Sequence, residues 1–170
     1  MDVPKEIMGL PLGYALFQKG FTVLHGSSIS FNNKGIIFSG LSGSGKSTMI
    51  SNMINKGFKY ISDDLVCLDS KHNLHSFTNT LAVQSAAKVA KEYFKEITDL
   101  NDKRKRSLYL NKNNNKTLKP SKVCYFLEWG SKNEIYELKG AQLFEKIFPN
   151  LFREENFIGK NSNKILLRKK

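Results

Sequence analysis

The chain has 170 residues and a formal net charge of +12. Its length fits one domain with a sizeable core, and no apolar run reaches the roughly 18–20 residues that a membrane span needs. The excess of positive charge favours an anionic ligand or an acidic protein partner over nucleic acid, because no aromatic residues alternate with the basic ones to form a stacking surface.

The start of the chain and the two cysteines bear on location. No basic region followed by an apolar stretch opens the sequence, so no signal peptide is predicted. Cys67 and Cys124 lie in apolar, strand-like segments and lack the spacing of a zinc site or a C-x-x-C pair. We therefore expect free thiols and a cytoplasmic location, where thiols stay reduced.

The first elements are a helix and three strands. The helix begins after Pro4, is interrupted by Pro11 and ends at Gly20. The strands are predicted, in order, at 21–24, 28–31 and 35–38. His25 and Gly26 separate the first two strands. This histidine is therefore predicted to lie in the connection between them, shortly before the third strand.

A glycine-rich motif, GLSGSGKS at residues 40–47, follows the third strand and precedes a helix at 48–54 that Gly57 ends. Its spacing is that of a P-loop, in which backbone N–H groups surround phosphates, the lysine reaches the β- and γ-phosphates and the serine hydroxyl binds Mg²⁺. The following helix N-terminus adds partial positive charge. The residues predicted to bind the nucleotide are Gly40, Leu41, Ser42, Gly43, Ser44, Gly45, Lys46, Ser47 and Thr48.

Two acidic residues, Asp63 and Asp64, follow a strand predicted at 58–62, which we place next to the P-loop strand; another strand, at 65–68, comes after them. Neighbours on an extended chain point to opposite sides. One carboxylate can therefore bind Mg²⁺ while the other faces an acceptor hydroxyl as a base. Either aspartate fits either role; we favour Ser47 with Asp63 for the metal. A solvated turn is the alternative interpretation.

The second half of the chain is predicted to contain two helices and one β-hairpin. The helices fall at 82–94 and 141–147, where apolar residues recur at helical spacing. The hairpin joins a strand at 123–129 to the alternating segment 134–138. Polar turns and loops separate these elements, at 69–73, 101–106 and 111–115.

The domain boundary is placed near the C-terminus. Residues 1–155 are predicted to form a single domain, and 156–170 a basic tail that is disordered or docks on a partner.

Residues 23–66 resemble the nucleotide-binding core of the HPr kinase/phosphorylase family, which carries a His-Gly pair before its P-loop, a helix ending in glycine and an Asp-Asp pair on the next strand. The matching positions are His25, Lys46, Ser47, Asp63 and Asp64. The resemblance implies an α/β P-loop domain of the HPr kinase/phosphoenolpyruvate carboxykinase type, with a mixed sheet flanked by helices. It also makes a homo-oligomer reasonable. The family's downstream glycine-rich segment with its glutamate has no counterpart at 81–93.

These features predict an ATP-dependent kinase that uses Mg²⁺ to transfer the γ-phosphate to a hydroxyl, with serine favoured, of a protein or peptide. Its predicted catalytic residues are Asp64 as the base, Asp63, His25 and Lys46. The alternative is a nucleotide-binding module of the same fold with little or no catalysis. A small-molecule kinase or carboxykinase-like enzyme ranks third. The basic residues at 104–106 are a further candidate to neutralise the phosphoryl group, although a solvated loop is favoured there.

Overall fold

A computed structural model describes five segments of the chain, residues 10–77, 80–84, 94–99, 105–110 and 119–151. They form a six-stranded mixed sheet, a three-stranded antiparallel sheet and helices that flank the larger sheet. The predicted α/β class with a mixed sheet flanked by helices is confirmed. The predicted basic tail at 156–170 and the loop at 111–115 lie outside the described residues.

Among the described elements, two helices and six strands lie in the first half of the chain, and three strands precede the last helix. The helices are α1 (Leu10–Gln18), α2 (Lys46–Ile54) and α3 (Gly140–Ile147), which runs into a 3₁₀ turn at Phe148–Asn150. The strands are β1 (Thr22–Phe31), β2 (Lys34–Ser39), β3 (Lys59–Ser62), β4 (Leu65–Leu68), β5 (Asn73–His75), β6 (Thr80–Gln84), β7 (Phe94–Asp99), β8 (Lys105–Leu110) and β9 (Lys119–Phe126). Pro11 lies in the first turn of α1, where proline is tolerated because its missing N–H has no helical partner; residues 1–9, where the predicted helix begins, lie outside the described part.

The larger sheet has the order β2-β9-β5-β4-β1-β3, and β2 also pairs with β1. That extra pairing closes five strands into a circuit from which β3 extends. Among the described strands, β2 and β9 form the one parallel pair. The segments that follow β2 and β9 therefore emerge at the same edge of the sheet.

β1 is one continuous strand, so the prediction of two pieces separated by His25 and Gly26 is wrong. It runs through this pair because both of its edges are occupied, by β2 on one side and by β4 and β3 on the other. Asn32 and Asn33 then turn the chain into β2 with φ values of 46° and 64°. Positive φ at two successive residues is the requirement of a tight hairpin turn, and asparagine tolerates it.

The position of the aspartate-bearing strand differs from the prediction. β3 pairs with β1, and β1 separates it from β2. Ser28 of β1 thus has Ile37 of β2 on one side and Ser62 of β3 on the other. The aspartates that follow β3 remain close to the start of α2 because α2 packs across these strands.

Apolar clusters hold helices on the larger sheet. Ile50 and Ile54 of α2 are buried against Ile29 and Phe38 of the sheet, while Met49 is exposed. Leu81 and Val83 of β6 join this cluster, which ties the smaller sheet to the core. A second cluster packs against the 3₁₀ turn region and contains Leu24, Ile37, Ile61, Val66 and Leu74. A third joins α1 to β1 and β4 through Leu16, Val23, Leu65 and Cys67.

The prediction of a helix at 82–94 is wrong at both ends of this range, where the structure has strands. β6 extends to Gln84 and β7 begins at Phe94, and both strands pair with β8; residues 85–93 lie outside the described part. β8 begins at Lys105, so the predicted loop at 101–106 ends too late. Short apolar runs rich in alanine and valine suit either state, and pairing with a distant strand decides between them.

The hairpin predicted near the C-terminus does not form. β9 ends at Phe126, and the segment 134–138 is not a strand. Ile135 and Tyr136 in that segment are 84% and 63% exposed, so its alternating residues have no sheet to cover. The helix predicted at 141–147 is confirmed as α3.

Cys67 and Cys124 are free, as predicted. Burial raises the pKa of the Cys67 thiol to about 12 and the pKa of the Cys124 thiol to about 11. Within the described segments, every helix is too short or too polar to cross a membrane.

Candidate functional site

The glycine-rich loop (residues 40–47) follows β2 and leads into a helix, as predicted, and its last two residues form the start of α2. At Gly40 the φ is 137°, and a Cβ there would lie 2.5 Å from the carbonyl oxygen of Leu127. At Gly45, the N-cap of α2, the φ is 93°, and its carbonyl accepts the N–H of Met49 at 2.8 Å. A larger residue at either position would strain the backbone, so these two glycines fix the loop's shape.

Lys46 lies folded against the inside of this loop. Its Nζ donates to the carbonyl oxygens of Gly40 at 2.8 Å and Leu41 at 2.9 Å, and the residue is 7% exposed. A phosphate group would offer this ammonium charged acceptors in place of neutral carbonyls, and charge-assisted hydrogen bonds are the stronger kind. The lysine is therefore positioned at the loop where a phosphate would bind.

Ser47 and Asp63, the predicted metal pair, are brought together. The Ser47 hydroxyl lies 3.2 Å from each carboxylate oxygen of Asp63, which is 4% exposed. The same carboxylate accepts a hydrogen bond from the hydroxyl of Ser27 in β1, a residue that sequence reasoning missed. The available signal was a pair of serines, Ser27 and Ser28, in the middle of an apolar strand.

Asp64 differs from its neighbour in both exposure and backbone conformation. It is exposed, whereas Asp63 is buried. Its φ of 66° bends the chain between β3 and β4, and its carbonyl accepts the N–H of Gly26 at 3.4 Å. A carboxylate exposed beside the buried one is open to an incoming molecule.

His25 is half-buried in β1 and close to two other predicted site residues. Burial and the positive charge of Lys46 lower the pKa of its imidazole, while the Asp64 carboxylate and a hydrogen bond to the Asp64 backbone oppose that shift. The lowered pKa favours the neutral form of the ring. A neutral imidazole can donate from one nitrogen and accept at the other.

The segment after β9 forms the opposite rim of the loop. The N–H of Leu127 donates to the carbonyl of Ser39 at 2.8 Å, and the indole N–H of Trp129 donates to the carbonyl of Gly43 at 3.0 Å. Glu128 forms an ion pair with Lys146 of α3. A cavity of about 130 Å³ opens here, lined by Gly40, Leu41, Phe126, Leu127, Glu128, Glu145, Lys146, Pro149 and Asn150.

The remaining predicted residues lie on the loop or beside it. Leu41, Ser42 and Thr48 are exposed, the last in the first turn of α2. The hydroxyl of Ser44 is buried and, within the described structure, has no hydrogen-bond partner. The basic cluster at 104–106 does not join the site as a loop, because β8 contains its last two residues and residue 104 lies outside the described part.

The donors present fit Mg²⁺ better than a softer metal. The described segments contain no group of three or more His, Cys, Asp and Glu residues that could hold a metal. Magnesium in nucleotide sites needs fewer protein ligands, because phosphate oxygens and water complete its octahedron. One carboxylate and one hydroxyl, those of Asp63 and Ser47, are an adequate protein share.

No protein-family model matches this chain, and a search of curated proteins found no match. The function must therefore be argued from the chemistry of the site.

Proposed function

We propose that this protein is an ATP-dependent kinase that phosphorylates a hydroxyl, serine above all, of a protein or peptide. The observation that carries the proposal is the contact between Ser47, at the end of the glycine-rich loop, and the buried carboxylate of Asp63, with the Asp64 carboxylate exposed beside it. Phosphoryl transfer needs a phosphate cradle, a metal-binding acid and a group for the acceptor hydroxyl, and this arrangement offers all three.

Binding of the triphosphate is assigned to the loop. Its backbone N–H groups and the N-terminus of α2 supply partial positive charge. Lys46 adds a full charge by exchanging its bonds to the carbonyls of Gly40 and Leu41 for phosphate oxygens. We take the fold to be a P-loop domain of the HPr kinase/phosphoenolpyruvate carboxykinase type, on the strength of the motif resemblance across residues 23–66.

Ser47 and Asp63 would hold Mg²⁺, which when bound neutralises charge on the phosphates. Ser27 helps to hold the Asp63 carboxylate in place, because its buried hydroxyl donates to the same group.

Asp64 is assigned as the base that accepts the proton of the attacking hydroxyl. Its exposure suits an acceptor presented on the surface of a protein, which could not enter a deep pocket. His25, neutral and close to both Asp64 and Lys46, assists by contacting the aspartate or the γ-phosphate. The net charge of +12 favours an acidic protein acceptor. Free thiols suit the cytoplasm, and a homo-oligomer is compatible with the resemblance.

The second candidate is a module of the same fold that binds Mg·ATP with little or no transfer. The metal-binding set is equally compatible with it, because one carboxylate and one hydroxyl can hold Mg²⁺ beside phosphates whether or not transfer follows. The family's downstream glutamate also has no counterpart in the sequence.

Transfer from γ-labelled ATP separates these candidates. The wild type, Lys46→Ala and Asp64→Asn are incubated with Mg²⁺ and a host lysate, and nucleotide binding is measured on the same preparations. Glu134→Gln is the matched control, because Glu134 is an exposed acid that belongs neither to the loop nor to the proposed catalytic residues. A labelled protein band that both site variants abolish and the control retains supports the kinase. Tight ATP binding by the wild type without any labelled band would contradict it and leave the binding module.

A further inference from the structure

Trp129 is the single tryptophan of the chain, and its ring is held at the glycine-rich loop while remaining open to solvent. The indole N–H donates to the Gly43 carbonyl at 3.0 Å, yet the residue is 83% exposed. An isolated exposed apolar residue needs no explanation. A large ring anchored through its polar edge to a ligand-binding loop is a different case, because its flat surface is left for another aromatic group.

The sheet topology places this ring on a particular side of the loop. β2 and β9 are parallel, so the glycine-rich loop after β2 and the segment after β9 leave the sheet at one edge. Ligands of α/β sheets bind outside the carboxyl ends of such strands. Trp129 therefore lies at the same edge of the sheet as the loop. It follows β9, which neighbours β2 on the side opposite to β1.

The residues proposed for chemistry lie on the other side of β2. His25 belongs to β1, and Asp63 and Asp64 join β3 to β4, which both pair with β1. A nucleotide whose γ-phosphate points towards these residues directs its nucleoside away from them. The direction opposite to β1, across β2, is the β9 side that carries Trp129.

We propose that Trp129 stacks on the base of a purine nucleoside triphosphate whose phosphates occupy the glycine-rich loop. This base subsite rests on the nucleotide binding proposed above. Stacking strength grows with the aromatic face, so purines are favoured over pyrimidines, whereas stacking alone does not read the exocyclic groups that distinguish adenine from guanine. ATP and GTP are therefore expected to bind within a few-fold of each other.

Calorimetric titration tests the proposal with four ligands, each with Mg²⁺: ATP, GTP, CTP and inorganic triphosphate. The triphosphate occupies the loop without a base. The proteins are the wild type, Trp129→Ala and Trp129→Phe, with Tyr136→Ala as the matched control because Tyr136 is an exposed aromatic of the same connecting segment. Since the chain has one tryptophan, the fluorescence of the wild type reports on Trp129 alone.

We expect Trp129→Ala to weaken ATP and GTP binding by about 5- to 150-fold, from the measured range of base stacking on aromatic residues. Triphosphate binding should stay within about twofold, because the phosphates do not touch the ring. Trp129→Phe should lose less, and Tyr136→Ala should bind ATP as the wild type does. ATP should quench the fluorescence of the wild type, and triphosphate should not.

Three results would overturn the base subsite. Unchanged ATP affinity in Trp129→Ala, with ATP binding tightly, removes it while leaving the proposed kinase intact; loss of acceptor labelling in that variant would then assign the ring to the protein substrate. Equal weakening of ATP and triphosphate would show that the indole acts only by shaping the loop through Gly43. Failure of the wild type to bind either ligand would refute the subsite and the proposed function together.

Discussion

Replacing Ser27 with alanine tests how far the buried Asp63 carboxylate depends on this hydroxyl. Ser27 is fully buried in β1 and donates to Asp63, which is 4% exposed. A hydrogen bond to a charged group contributes about 1.5–3 kcal/mol, compared with about 0.5–1.5 kcal/mol for a neutral pair. We therefore expect Ser27→Ala to lower the free energy of unfolding by about 2 kcal/mol.

Ser28→Ala is the matched control. Ser28 follows directly in the same strand and is also fully buried, but its hydroxyl lies 2.7 Å from the hydroxyl of Ser62, a neutral partner. Its loss should cost about 1 kcal/mol. The difference between the two substitutions reports the effect of the charge on the acceptor, since both delete a hydroxyl from a fully buried position of the same strand.

Urea unfolding at neutral pH, followed by far-UV circular dichroism, measures both values. For a domain of this size each kcal/mol corresponds to about 2–4 °C in the unfolding midpoint, so Ser27→Ala should also melt about 4–8 °C lower than the wild type. In an Asp63→Asn background the cost of Ser27→Ala should shrink, because neighbours that share a hydrogen bond are not additive. Equal losses for Ser27→Ala and Ser28→Ala would refute the reasoning.

Three further outcomes are expected. Ser44→Ala should raise the free energy of unfolding by about 1 kcal/mol in the same urea experiment, because it removes a buried hydroxyl without a partner in the described structure; destabilisation would contradict this. Hydrogen bonds, first of all from the Asn73 N–H, hold the pKa of Asp69 well below its usual range, so its stabilisation is complete above its unfolded pKa and is lost as the pH falls. Asp69→Asn should thus be less stable than the wild type at neutral pH, and the gap should narrow as the pH falls below about 4, with part of it remaining at pH 2. Lys46→Ala should raise the pKa of His25, read from imidazole NMR shifts, because a neighbouring positive charge is lost. An unchanged His25 pKa would contradict an electrostatic interaction between the two side chains.

Local sequence determined the elements whose conformation belongs to particular residue types. The turn of Asn32 and Asn33 and the positive φ of Gly57 are examples. At Gly57 the N–H donates to the carbonyl of Ile54, and the next N–H, of Phe58, donates to Met53, which ends α2 where the sequence predicts. The glycine-rich loop, its strand and its helix were predictable for the same reason.

Tertiary pairing decided the elements for which the sequence suits more than one state. The apolar residues of β6 satisfy a helical pattern, and only β8, a strand more than twenty residues away, makes them extended. The alternating segment 134–138 satisfies a strand pattern, yet Ile135 and Tyr136 stay exposed because no strand pairs with it in the described structure. A periodic pattern indicates which residues of a segment can be buried together. It does not indicate which other part of the chain covers them.

The residues of the candidate site also differ in whether the sequence or the tertiary structure reveals them. The sequence alone identified Lys46, Ser47 and the two aspartates, because a phosphate loop and paired acids are local patterns. It did not identify Ser27, which is 36 residues from Asp63, or Trp129, which is 86 residues from Gly43. Those contacts exist because β1 pairs with β3 and β9 runs parallel to β2. Strand register is set by the packing of the whole sheet, so no local pattern encodes them.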